Sequence, residues 1–321
     1  MKKTLTLPIA VAATLGSMTT AQAQEEISLR LPWLLNVQAA GYVMADAKGF
    51  YEEAGLDVEI LPGGPNLNST ALVASGANTF GTNDVNGIVM GVQEQMDLVM
   101  VAACFQKHPA GVITLAAENI AEPADLVGKK LAYNEGGPWT LTKAMLGREG
   151  VSLDDIELIV SPSTELLING NVDAKTGFTV NEPIAVELAG IETSVLLPSD
   201  YGVDTSAEAI FTTRAFAEEN PELVQAFVDA TIRGYDYAYA NQEETVQTVL
   251  EYNNQLDPAQ QTEQLRRQES YVFDDFATEH GACAYKTNVV ADTIEVLNTY
   301  GGMEITVDPA SVYSTEFVYT E

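Results

Sequence analysis

The sequence predicts an α/β protein of two lobes with a ligand cleft between them. Three observations predict it. Segments of strand and helix character alternate through most of the chain, which implies parallel pairing and right-handed crossovers. The alternation occurs twice, in two stretches that resemble each other. The chain also opens with the pattern of an export signal, so the two-lobed body is expected outside the cytoplasm.

The elements follow in order. Residues 1–23, MKKTLTLPIAVAATLGSMTTAQA, combine Lys2 and Lys3, an apolar run, and small residues at Ala21 and Ala23. This is the pattern of a secretory signal cleaved before Gln24. The run is too short to remain as a membrane span, and no Cys stands at the cut to carry a lipid. A periplasmic location is expected. A strand follows at 27–31. Residues 48–64, KGFYEEAGLDVEILPGG, read as a helix end, a glycine, an acidic turn and a strand at 58–61. Residues 72–84, LVASGANTFGTND, complete the first copy. The second copy has a strand at 130–133, then KAMLGREGVSLDDIELIVSPS at 143–163 with its strand at 156–160, then LLINGNVDAKTGFTVNEP at 166–183. Gly55 answers Gly150 and Gly76 answers Gly170 at nearly equal offsets.

Between the copies, 111–120 reads as a strand leaving the first lobe, and 206–214 as the return. Helices are expected beyond. At Asn220-Pro221-Glu222 the Asn caps, the Pro fits the first turn and the Glu suits the positive helix end. Helices are predicted at 221–240, 243–252, 258–271 and 288–299, packed on lobe one. The expected organisation is a signal at 1–23, lobe one from 24–114 and 210–321, and lobe two from 115–209.

Composition narrows the function. At 46% hydrophobic residues over 321 positions the chain can build real cores. Asp and Glu total 46 against 15 Lys and Arg, a formal net charge of −31. Such a surface repels phosphate backbones and anionic lipid, so neither nucleic acid nor direct membrane insertion is expected. It suits either salty surroundings or ordinary solubility. Cys104 and Cys283 are the two cysteines, read either as one bridge or as two buried thiols. His108 and His280 lie near them without metal-ligand spacing. No metal or cofactor is expected.

Ligands of open α/β sheets gather beyond the carboxyl ends of the strands. In lobe one those ends carry Trp33, Asn36 and Gln38, then Gly63-Gly64, then Asn83 and Asp84. In lobe two they carry Asn134, Glu135 and Trp139, then Ser161-Pro162, then Asn181 and Glu182. These turns hold both tryptophans of the chain and no Lys or Arg. An indole stacks on a flat ligand, and amides and carboxylates fix the polar edges of a heterocycle. A buried phosphate or sulfonate favours Arg, although backbone N–H groups after Gly136-Gly137 offer an anion some purchase. Each position has a plainer alternative: Trp33 and Trp139 as core, Asp84 and Glu182 as helix-start residues, and Gln106-Lys107-His108 as hinge support.

At these residues the chain resembles a known family. Trp33, Asn36, Gln38 and Gly41-Tyr42 form one block. Lys48-Gly49-Phe50-Tyr51, Gly55-Leu56-Asp57-Val58 and Pro62-Gly63-Gly64 form a second. Both are similar to the solute-binding proteins of ABC importers that are related to thiamine-pyrimidine synthase. The likeness continues through Leu72–Gly76 in LVASG, Leu126 to Lys130 in LVGKK, and Asn220-Pro221-Glu222-Leu223. It implies a two-lobed periplasmic binding protein fold of the type II kind, a small-molecule ligand, an ABC permease and its ATPase as partners, and a monomer. It implies a pyrimidine precursor of thiamine or a riboflavin-like heterocycle, with taurine, aliphatic sulfonates and nitrate as the alternative from related branches. Ala39 stands where thiamine-precursor members often carry His, and the Gln38-Ala39-Ala40-Gly41 run is nearer to the riboflavin-type subgroup. The family's enzyme carries a cysteine cluster that this chain lacks. An enzyme reading would use Asp84 and Glu182 as a carboxylate pair in the cleft.

Overall fold

The computed structural model describes residues 24–321; the expected signal at 1–23 lies outside the described residues. Among the described residues, ten strands form two five-stranded sheets. In chain order they are β1 (Glu25–Arg30), β2 (Leu56–Leu61), β3 (Phe80–Asn83), β4 (Val99–Phe105), β5 (Ala110–Leu115), β6 (Lys130–Tyr133), β7 (Glu157–Val160), β8 (Ala174–Phe178), β9 (Thr193–Leu196) and β10 (Ala207–Thr212). The first sheet has the order β2-β1-β3-β10-β4 and the second β7-β6-β8-β5-β9.

The two halves are the same plan. β1 pairs in parallel with β2 and β3, as β6 pairs in parallel with β7 and β8. The helices Ala40–Ala47 and Gly137–Arg148 make the corresponding first crossovers. Polar and apolar residues alternate in β2, whose Leu56 and Val58 are buried while Asp57 and Glu59 face solvent. β4, VMVAACF, is buried at every position, as a strand covered on both faces must be.

The strand between the lobes behaves differently from expectation. The expected boundary put 110–114 in lobe one, but β5 pairs antiparallel with β8 and β9 in the second sheet. Conversely, β10 returns to the first sheet and lies antiparallel between β3 and β4. Each sheet therefore receives its fourth strand from the segment that crosses between lobes. The sequence shows strand propensity in 110–115 but not which sheet completes its hydrogen bonds.

The long helix Pro221–Ala240 packs on Ala40–Ala47. Tyr235 meets Tyr42 edge to face at 5.5 Å within the first-lobe core. The helix Pro258–Val272 touches both lobes. Gln268 Nε2 donates to Val37 O at 2.7 Å in lobe one, and Arg267 Nη2 donates to Glu187 Oε2 at 2.6 Å in lobe two. Cys104 and Cys283 are bonded, which decides between the two readings of the cysteines. The bridge ties the buried end of β4 to the C-terminal section across a separation of 179 residues. Among the described residues no helix is long and apolar enough to cross a membrane.

Closing so long a loop restricts the unfolded chain and is expected to stabilise the fold. The double substitution Cys104→Ser with Cys283→Ser is expected to lower stability by about 2–5 kcal/mol, read as the shift in urea midpoint against the oxidised parent. An unchanged midpoint would contradict this.

Candidate functional site

The carboxyl ends of β1, β3, β6 and β8 converge on a cleft of about 640 Å³ between the sheets. Eight of the ten expected residues line it. Trp33, Gln38, Asn83 and Asp84 come from lobe one, and Asn134, Glu135, Asn181 and Glu182 from lobe two. Trp33 follows β1 directly. Its loop is held against the Pro62-Gly63-Gly64 turn, where Gly63 N donates to Trp33 O at 2.8 Å. A Cβ at Gly63 would lie 2.3 Å from Leu31 O, so only glycine permits this approach.

Two expected residues lie elsewhere. Asn36 is buried away from the cleft. Its Oδ1 accepts from Gln38 N at 2.7 Å and caps the short helix Val37–Ala39. Trp139 is 4% exposed and stacks on Tyr133 at 4.2 Å in the second-lobe core. Its spacing from Thr142 and Met145, also buried, sets it on the inner face of Gly137–Arg148. Both misplacements have one cause: the residue stands at the right strand end, but the helix beginning there turns its side chain inward.

Asp84 occupies the N-cap position of the helix Val85–Gln93 yet makes no side-chain cap bond. Its Oδ2 lies 3.0 Å from His108 Nε2, though off the line of a good hydrogen bond. His108 Nδ1 accepts from Ala110 N at 3.0 Å, so the imidazole carries its proton on Nε2, toward the carboxylate. Asn83 is fixed from both ends: Nδ2 donates to Ser69 Oγ at 3.1 Å and Oδ1 accepts from Asp84 N at 2.8 Å.

Lobe two meets this group closely. A Cβ at Gly137 would lie 1.9 Å from Asp84 Oδ2 and 2.7 Å from His108 Nε2. The Asp84 carboxylate thus rests against the N-terminal end of Gly137–Arg148, where the helix dipole favours negative charge. Three further contacts join the lobes along the helix Pro258–Val272. Asn181 Oδ1 accepts from Gln260 Nε2 at 2.8 Å. Thr179 Oγ1 lies 3.3 Å from Tyr271 Oη. The Arg267–Glu187 pair is the third.

Glu182 opens the helix Glu182–Leu188, and its Oε2 accepts from Phe178 N at 2.8 Å. Lys175 Nζ lies 3.9 Å from Oε1. Desolvation pushes Glu182 upward against the opposing pull of Lys175, and desolvation lowers Lys175. Lys175 itself is buried and does not reach the cleft; no Lys or Arg lines it among the described residues.

Sequence reasoning missed Glu208. It sits in β10, is 2% exposed, and has a left-handed backbone at φ 49°. Gln38 Nε2 donates to its carboxylate. Burial pushes the carboxyl up to about 8; the Gln38 hydrogen bond opposes that shift and the nearby charge of Asp84 adds to it. The available signal was a glutamate inside the apolar run AEAIFT.

The family model described as NMT1/THI5 like matches residues 36–245. The riboflavin-binding protein RibY of Chloroflexus aurantiacus is 25% identical over 92% of this chain and 86% of its own length. The formylaminopyrimidine-binding protein of Halalkalibacterium halodurans is 29% identical, covering 71% of each chain. A further relative, 4-amino-5-hydroxymethyl-2-methylpyrimidine phosphate synthase of Legionella pneumophila, is 24% identical over 73% of this chain and 75% of its own. In fold, the chain is similar to the periplasmic nitrate-binding protein NrtA of Synechocystis, with a TM-score of 0.70, 15% identity, and coverage of 92% of this chain and 87% of that one.

Two outcomes are expected. Gly137→Ala adds a methyl group where the Asp84 carboxylate stands, so the carboxylate is displaced from the helix end; the Asp84 carboxyl-carbon resonance is expected to shift in NMR spectra while the fold persists. An unchanged Asp84 resonance would contradict this. For Glu208, the folded carboxyl holds its proton to about pH 8, whereas an unfolded glutamate releases it near its ordinary value of about 4.3. Between these values the folded state binds more protons, so this group's contribution to stability is present at low pH and falls as pH rises toward 8. Compared with Glu208→Gln, the parent is expected to lose up to about 1.4 kcal/mol per pH unit across that window, measured by urea unfolding at several pH values.

Proposed function

Since this chain belongs to the NMT1/THI5-like family, we propose that it is the solute-binding protein of an ABC importer. It captures a small aromatic heterocycle between its lobes in the periplasm and delivers it to a membrane permease driven by an ATPase. The observation that carries this reading is the chemistry of the cleft: Trp33 stands beside amides and the carboxylates of Asp84, Glu135 and Glu182, with no lining Lys or Arg among the described residues. A flat ring stacks on the indole while its N–H groups and ring nitrogens meet carboxylates and amides. The riboflavin-binding and formylaminopyrimidine-binding relatives support the same ligand class.

An anionic solute such as taurine, an alkanesulfonate or nitrate suits this cleft poorly. The helix end that would hold an anion through its backbone N–H groups already faces the Asp84 carboxylate. A carboxylate pair acting on a substrate is also disfavoured. Asp84 is packed against His108 and the helix end at Gly137, and Glu182 accepts from Phe178 N, so both carboxyl groups are held in place. Closure is favoured because a bound ring touches both lobes at once.

Tryptophan fluorescence of the purified mature protein is expected to respond to riboflavin or to an aminopyrimidine, and not to taurine or nitrate. Trp33→Ala is expected to weaken that binding at least about tenfold, equivalent to about 1.4 kcal/mol. Binding of taurine or nitrate with no response to any ring compound would reject the reading.

A further inference from the structure

Gln38 lies at the floor of the cleft and also lines a small void, about 10 Å³, between Trp33 and Glu208. Its backbone is fixed, because Gln38 N donates to Asn36 Oδ1 at 2.7 Å. Its side chain is fixed by Glu208, which accepts from Nε2. The nitrogen end of the amide therefore faces the carboxyl group, which keeps an accepting oxygen whether or not it is protonated. The amide oxygen is then left for the cleft, and no protein donor reaches it among the described residues. Glu208 is held in place at some cost. It is buried in a strand between paired neighbours, with a left-handed backbone that a glutamate rarely adopts.

We propose that Glu208 is a positioning residue for the ligand site. By accepting from Gln38 Nε2 it turns the Gln38 oxygen into the cleft, so the ligand must offer a hydrogen-bond donor there, a ring N–H or an exocyclic amine. This inference rests on the heterocycle reading and sharpens it. An acceptor-only edge at this point would face a lone pair, and a desolvated mismatch of that kind costs far more than a lost contact.

The charged and titratable groups around Glu208 are few. Asp84 acts on it from the start of Val85–Gln93, with His108 beside Asp84. The phenols of Tyr42, Tyr235 and Tyr239 feel its charge from the two helices packed beneath. None of these is a fixed cation, so titration of Glu208 changes the local field directly.

The test has two arms. In the first, the side-chain amide of Gln38 is followed by nitrogen-15 NMR in the ligand-free protein and identified by its loss in Gln38→Asn. Its resonances are expected to shift with a midpoint near pH 8, to become independent of pH in Glu208→Gln, and to take a solvent-exposed position in Glu208→Leu. A Gln38 amide at the solvent-exposed position in the parent overturns the proposal. In the second arm, affinities are compared for riboflavin and its N3-methyl derivative, and for 4-aminopyrimidine and its dimethylamino counterpart. The parent is expected to prefer the N–H form of whichever pair binds by at least about tenfold. Glu208→Gln, whose amide oxygen still accepts from Gln38, is expected to keep that preference, and Glu208→Leu to reduce it to about threefold or less. Equal affinity of the parent for the N–H and methylated forms overturns the proposal. If no ring compound binds the parent, the heterocycle reading fails, and with it the ligand half of this proposal, while the NMR arm still decides the orientation of Gln38.

Discussion

Two strands trade places between the lobes, and the rest of the molecule depends on that exchange. β5 follows the first copy in sequence but completes the second sheet, and β10 follows the second copy but completes the first. Each lies inside its sheet with neighbours on both sides, so its backbone groups find partners only in the crossed arrangement. The two crossings are tied where Ser206 Oγ donates to Gln106 O at 3.3 Å. The carboxyl ends of the parallel strands β1, β3, β6 and β8 line the gap between the two sheets. His108 lies on one crossing and Glu208 just beyond the other, so both crossings bring a titratable group close to the cleft.

The electrostatics of the gap follow from this placement. Carboxyl groups converge from both lobes with no cation lining the cleft among the described residues, and each is steadied separately. Asp84 has His108 and a helix end, Glu182 has Phe178 N and Lys175 below it, and Glu208 has Gln38. On the proposed function, such a cleft would close less readily on an anion than on a neutral or donor-rich ligand that satisfies the oxygens it buries. The helix Pro258–Val272 adds a further link between the lobes at the cleft edge, where Gln260 donates to Asn181.

Much of this was legible from residue patterns. The repeat around Gly55 and Gly150 marked the two equivalent sheets, and the strand ends marked where Trp33, Asp84, Asn181 and Glu182 would meet. Asn36 and Trp139 were misread because a position at a strand end does not say which way the following helix turns a side chain. Glu208 was overlooked because an acidic residue in an apolar strand looks like a solvent-facing position until the opposite face is also covered. The sheet that owns β5 was not legible either, since strand propensity carries no address.

The amino-acid sequence alone determined the α/β class, the duplication and the kind of side chain available at each strand end. These depend on local periodicity, turn chemistry and composition, which neighbours in sequence set by themselves. Only the tertiary structure decided the exchange of β5 and β10, the Cys104–Cys283 bond, the contact of Gly137 with Asp84, and the burial of Glu208 beneath Gln38. Each of these joins residues far apart in the chain, and their energies come from packing and desolvation that exist only once both lobes are assembled.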